Sequence, residues 1–181
     1  MNRFIINILV LFLLITNQSI AKENIMILKL KNGDVKIQLF EDVAPNHVKR
    51  IKELANNGKY DNVVFHRVID GFMAQTGDVE FGNSSNANFD IRRAGTGNSD
   101  LPDLKQEFSS VPHERGTLSM ARTSDPDSAN SQFFICFVPT PFLDRQYTVF
   151  GKVLEGMEFV DKIKRGEPAE DPDKIISFKS Q

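Results

Sequence analysis

Residues 65–78, FHRVIDGFMAQTGD, set one arginine among apolar and amide side chains. Period-two alternation puts Arg67 on the side of Phe65 and Ile69. A guanidinium there must be paired or turned toward a ligand, because it cannot shed its charge. Taken alone, such an Arg is ordinarily a surface ion-pair residue with a buried aliphatic stem. Other reactive types offer less. Ser119 and Ser131 have no assignable histidine partner, so a hydrolytic nucleophile-base pair is not indicated. His47, His66 and His113 lack metal-ligand spacing, and Glu107 and Asp144 read as turn or hydrogen-bonding residues. Cys136, among Phe133, Phe134, Ile135 and Phe137, reads as a small buried apolar residue. As the single cysteine it forms no intramolecular disulfide.

Downstream stand residues 116–121 (GTLSMA), 130–135 (NSQFFI), 142–144 (FLD) and 149–153 (VFGKV). With 65–78, in order and approximate spacing, they resemble the cyclophilin family over nearly the whole chain beyond the N-terminus. Residues 95–97, 101–102, 107–108 and 126–130 are similar to its bacterial branch. The resemblance implies a peptidyl-prolyl cis-trans isomerase in which Arg67 is the catalytic arginine. It makes Phe72, Met73, Phe134 and Leu143 the walls of a proline pocket, although any one of them alone would be read as core. Gln75 and the backbone of Arg122 would hold the substrate main chain, with Ala121 and Gln132 lining the groove. Phe142 and Tyr147 fall on the rim, where many eukaryotic members carry Trp and His. A Phe lacks the indole N–H donor, so weakened binding of the cyclic peptide cyclosporin is expected. The family pattern treats His66 as structural. The implied partners are proline-containing unfolded or flexible polypeptides, and no metal or cofactor is needed.

The residue types suit that chemistry. A peptide C–N bond resists rotation by about 18–20 kcal/mol because the nitrogen lone pair is shared with the carbonyl. In the twisted state the nitrogen is pyramidal and basic, so a donor aimed at it favours that state over either planar one. An alternative is a binding module that holds proline-containing chains with little turnover; Arg67 together with Phe72, Gln75 and Phe134 favours the enzyme.

These side chains need strands to hold them. Residues 25–30 and 35–40 are β-like runs around Asn32-Gly33, the strongest short hairpin signal. Pro45 opens a helix whose Val48, Ile51, Leu54 and Ala55 share a face before Asn57-Gly58; Ala44 offers no good N-cap. Strands are expected over 63–69, 72–75, 116–121, 131–138, 147–153 and 174–179, and a second helix over 157–164. Residues 77–103 read as a long irregular loop, of the kind that is usually functional in a compact domain. Within it, 79–94 reads as solvated; the sharper possibility is that it borders the groove and selects residues preceding proline. Short strands, two helices and no β-α-β alternation point to an antiparallel sheet closed into a barrel. The resemblance implies a closed eight-stranded antiparallel β-barrel capped by two α-helices, with the site in an outer groove.

At the N-terminus, Arg3 precedes an apolar run from Phe4 to Ile15, then a polar stretch and Ser19-Ile20-Ala21. That is a signal-peptide layout, too short to span a bilayer as a helix, with cleavage expected after Ala21. Removing 1–21 leaves about 160 of the 181 residues, one well-buried domain over 22–181. Lys and Arg number 22 against 24 Asp and Glu, which argues against nucleic acid or an anionic membrane as partner. A monomer exported to a periplasm is the expectation.

Overall fold

Leu30 pairs with Gly33, so Lys31 and Asn32 form the two-residue turn of the expected first hairpin. The computed structural model describes residues 24–181; the expected leader over 1–21 lies outside them. The hairpin joins β1 (Ile25–Leu30) to β2 (Gly33–Leu39). Six short strands follow: β3 (Arg67–Ile69), β4 (Met73–Thr76), β5 (Thr117–Met120), β6 (Phe133–Cys136), β7 (Val149–Glu155) and β8 (Ser177–Ser180). All are antiparallel neighbours in one sheet ordered β3-β4-β6-β5-β7-β2-β1-β8.

Alternation sorts the strand residues between two apolar clusters. Val68, Ala74, Leu118, Phe133 and Ile135 face a core shared with Leu28, Ile37, Phe150 and Phe178. Phe133 sits edge-on to both Tyr60 and Phe150, with ring centroids 5.6 and 5.9 Å away. The helix α1 (Pro45–Asn56) adds Val48, Ile51, Leu54 and Ala55 to this core. Full burial of each large aliphatic side chain is worth about 1.5–3 kcal/mol.

The sheet corrects the closed-barrel expectation. It is a strongly curled but open half-barrel, whose edges are 18 Å apart. The edge strands β3 and β8 are three and four residues long, and the segment running from α2 (Met157–Val160) to β8 fills the space between them. Gly166 bridges Val68, Lys174 bridges Val64, and the Ile176 N–H donates to Lys29 O. The β3 edge is thus met by the connecting segment, and β8 by α1, where the Ser180 N–H donates to Asn56 Oδ1 at 3.0 Å.

Two smaller expectations also change. The second helix ends at Val160, because Lys162 and Ile163 already bond three residues back, to Phe159 and Val160. Phe65 belongs to the main core, not to the face of Arg67, since β3 begins only at Arg67 and the alternation restarts there.

Candidate active site

The pairing register draws a line across the outer face of the sheet. Arg67 on β3 lies opposite Gln75 on β4, Gln75 opposite Phe134 on β6, and Phe134 opposite Ser119 on β5. Beside that line Ile69 faces Met73, which faces Cys136. Because alternate residues share a face, these side chains meet on the side away from the main core. Met73, Phe134, Cys136 and Leu143 form a second buried cluster, with Ile69, Phe72, Ala121 and Tyr147 packed against it.

A cavity of ≈ 130 Å³ opens above this cluster, lined by Arg67, Phe72, Met73, Gln75, Ala121, Arg122, Phe134, Leu143 and Tyr147. An adjoining hollow of ≈ 120 Å³ includes Gln132, Gln75, Ala121 and Arg122. Of the residues singled out in the sequence, only Phe142 lines neither. It stands on the rim, 64% exposed, its ring 5.6 Å from that of Phe72. Larger hollows lie elsewhere, such as ≈ 400 Å³ among Glu80, Phe81, Phe89 and Arg93, but none of them includes the in-register line of Arg67, Gln75 and Phe134. Residues 79–94 line neither of the two site cavities.

The amide groups are held in a definite order. Buried Asp78 accepts from the N–H groups of Glu80 and Phe81 on one oxygen and of Gly95 and Gly97 on the other. That fixes the Gly95 and Gly97 carbonyls, which accept from Gln132 Nε2 at 3.1 and 2.8 Å. Gln132 Oε1 then accepts from Gln75 Nε2 at 3.1 Å, so Gln75 keeps its carbonyl oxygen for another donor. Gly95 has φ +97, and a Cβ there would fall 2.7 Å from the His66 ring. His66 is buried, which pushes its pKa down against the opposing charge of Asp78.

The cations are placed differently. Arg122 lies 4.3 Å over the Tyr147 ring and donates to the carbonyls of Gln146, Thr123 and Ser124. Its side chain is committed to the rim. Arg67 donates one side-chain hydrogen bond among the described residues, from Nε to Glu167 Oε2 at 2.9 Å.

The comparisons with known proteins decide the family. The family model described as "Cyclophilin type peptidyl-prolyl cis-trans isomerase/CLD" matches residues 25–180. This chain is a cyclophilin. A Brucella suis protein named "Probable peptidyl-prolyl cis-trans isomerase" is 59% identical over 159 residues, covering 85% of this chain and 81% of that one. Peptidyl-prolyl cis-trans isomerase B of Escherichia coli is 39% identical over 141 residues, covering 74% and 79%. The crystal structure of a Hirschia baltica cyclophilin matches with a TM-score of 0.74 and 30% identity, over 88% of this chain and 74% of that one. A Cryptosporidium parvum cyclophilin solved in the presence of the dipeptide Ala-Pro gives a TM-score of 0.70 at 27% identity, over 87% and 98%. The enzyme is accordingly a peptidyl-prolyl cis-trans isomerase, of a family that acts on proline-containing peptides.

Two features of this cyclophilin escaped the sequence reading. Ser119 does have a histidine: His113 Nε2 lies 3.0 Å from its Oγ, while the His113 ring and backbone N–H both donate to Asp144 Oδ1, at 2.9 and 2.8 Å. The order Ser-His-Asp still makes no hydrolase. Ser119 and His113 are sealed in, at 0% and 1% exposure, and the His113 ring is stacked 6.2 Å from that of Phe134. The trio instead ties the turn carrying Leu143 to the strand beneath the cavity floor. Burial pushes the His113 pKa down, with Asp144 opposing; the His113 backbone N–H and then its ring hold Asp144 below the usual carboxylate range. The second feature is Glu167, 100 residues from Arg67 and within a polar run that carries no signal for it. Cys136 is buried as expected, and burial pushes its thiol up to about 11.

Proposed function

We propose that Arg67 is the catalytic group of this isomerase, that the ≈ 130 Å³ cavity takes the proline ring, and that the substrates are Xaa-Pro bonds of exported proteins as they fold. The observation that carries the site reading is the in-register line of Arg67, Gln75 and Phe134 on one outer face. A proline seated between Phe72, Met73, Phe134 and Leu143 brings its nitrogen and the preceding carbonyl beside the guanidinium. The free carbonyl oxygen of Gln75 and the backbone of Arg122 hold the chain on either side of the bond. Rotation then needs no covalent step: the Arg67 N–H groups bind the pyramidal nitrogen and the carbonyl oxygen more tightly in the twisted state than in the planar ones. A preorganised donor of this kind is worth about 2.7–4 kcal/mol, or 100- to 1,000-fold in rate.

Uncatalysed isomerisation takes tens to hundreds of seconds, slow enough to limit folding after export. The leader-like pattern over residues 1–21 supports action on exported proteins in a periplasm, and the near balance of charge supports partners other than nucleic acid or an anionic membrane surface. The test is isomerisation of a short proline peptide by the chain without residues 1–21. Arg67→Ala is expected to lose 100-fold or more in kcat/KM at unchanged melting temperature, because its ion pair is exposed and such pairs add little stability. Equal rates for the two proteins would overturn the role of Arg67; binding without acceleration by the native chain would make it a holdase. Fractionation of host cells tests export, with recovery of a full-length chain in the cytosol counting against it.

A further inference from the structure

We infer that Glu167 is a positioning residue for the isomerisation, holding the Arg67 guanidinium side-on so that its outer fork is presented to the substrate; this rests on Arg67 being the catalytic group. The inference begins with the backbone. Val68 N–H donates to Gly166 O at 2.8 Å and Gly166 N–H donates to Val68 O at 2.9 Å. This exchange makes Val68 and Gly166 a hydrogen-bonded antiparallel pair, whose flanking residues face one another where side chains approach most closely. Arg67 and Glu167 are such a flanking pair. Residues 165–167 therefore act as one more rung beside β3, and the line across the outer face runs Glu167, Arg67, Gln75, Phe134.

The rung is anchored on its other side as well. Arg165 donates from Nε to Asp70 at 3.1 Å, from Nη1 to the carbonyls of Asp161 and Ile163, and lies 4.2 Å over the Phe137 ring. Glu167 is thus delivered to Arg67 by a segment fixed through both backbone and side chains.

The contact itself is selective. Glu167 takes only Nε, the one guanidinium nitrogen that lies along the side of the fork, at 2.9 Å. The terminal nitrogens, Nη1 and Nη2, donate to no acceptor among the described residues, and they carry the paired N–H groups that match a carbonyl oxygen and an adjacent nitrogen. A long Arg side chain, 40% exposed, would otherwise sample many rotamers. A fixed contact at Nε removes that freedom without occupying the working end, which is how a neighbour raises the fraction of productive geometry.

The experiment measures kcat and KM on a proline peptide for Glu167→Ala, Glu167→Gln, Arg67→Ala and the double variant Arg67→Ala with Glu167→Ala, alongside melting temperatures. Glu167→Ala is expected to lose about 10-fold in kcat at little change in KM, since misaligned groups cost the transition state more than the ground state. Glu167→Gln, which keeps an accepting oxygen, should recover most of that loss. In the Arg67→Ala background, Glu167→Ala should change nothing further. If Arg67→Ala loses its rate but Glu167→Ala does not, the positioning role fails and the site reading stands. An equal loss in both backgrounds would make the effect merely structural, and faster turnover in both Glu167 variants would make the carboxylate a brake; either overturns the inference. If Arg67→Ala keeps its rate, the site reading fails first.

Discussion

Phe142 exposes 64% of its surface, yet its ring stays 5.6 Å from Phe72 on the cavity wall. A ring in that position offers a flat apolar contact to whatever crosses the rim but has no polar hydrogen to donate. Phe142→Trp adds an indole N–H and more stacking area at a place where neither has to be buried at the expense of the fold. One new hydrogen bond is worth about 1 kcal/mol, roughly a 5-fold gain in affinity. Cyclosporin inhibition of the variant is therefore expected to strengthen by about that factor, with kcat for a short peptide unchanged. Identical inhibition curves for the two proteins would remove Phe142 as a determinant of that binding. Arg67, Phe72, Met73, Gln75, Gln132 and Phe134 were readable because they sit in two uninterrupted runs, 65–78 and 130–135, from which Ala121, Arg122, Leu143 and Tyr147 followed by the order of the shorter motifs. Their partners were not. Asp144 and Glu167 reach His113 and Arg67 across 31 and 100 residues, and only the register of distant strands and turns brings them together.

At the scale of elements, α1 shows how a local deficiency is answered from far away. Ala44 supplies no side-chain cap and Pro45 occupies the first position, so the N–H groups of the first turn need another acceptor. Glu107 provides it: its carboxylate accepts from the backbone N–H of Asn46 at 3.2 Å and of His47 at 3.1 Å, and from the His47 ring at 2.6 Å. Those are the two backbone donors that an N-cap side chain would take, and a negative charge there also suits the helix dipole. Glu107→Ala is expected to cost about 2 kcal/mol, the upper end of a cap deletion, because the fully buried His47 ring loses its partner as well. Urea unfolding measures this, and a change within about 0.5 kcal/mol would show that water replaces the carboxylate. The helix was legible from its apolar spacing and its Pro start. The identity of its cap was not, since nothing in residues 40–47 points to position 107.

At the scale of the molecule, individual strands and the first hairpin were legible because alternation and turn chemistry are local. The open half-barrel was not, because closure depends on whether β3 and β8 meet each other or, as here, the segment around Gly166 and the end of α1. The same separation of local from distant governs how charge is distributed through the fold. All three histidines are held neutral by burial, which pushes the pKa of His47, His66 and His113 below the ordinary 6.5. Glu107 and Asp144 are held below the usual carboxylate range by the bonds they accept from His47 and His113, Glu107 against the opposing cost of its partial burial. In each case the unfolded chain binds more protons than the folded one as the pH falls, so every one of these groups makes stability decrease on acidification. The histidines act first, from about pH 6.5 downward, because an unfolded His takes up a proton there while the folded ring refuses it. The carboxylates follow below about pH 4.5, where their unfolded counterparts become protonated. The melting temperature is therefore expected to be flat from pH 8 to about 7, to fall through the range below about 6.5, and to fall more steeply once the carboxylates join. Replacing His113 with Gln, which keeps an N–H for Asp144, should make the first fall shallower without removing the second. A melting temperature that holds or rises between pH 7 and about 5 would mean that the buried rings take up protons in place, and that the Asp144 and Glu107 contacts outweigh burial.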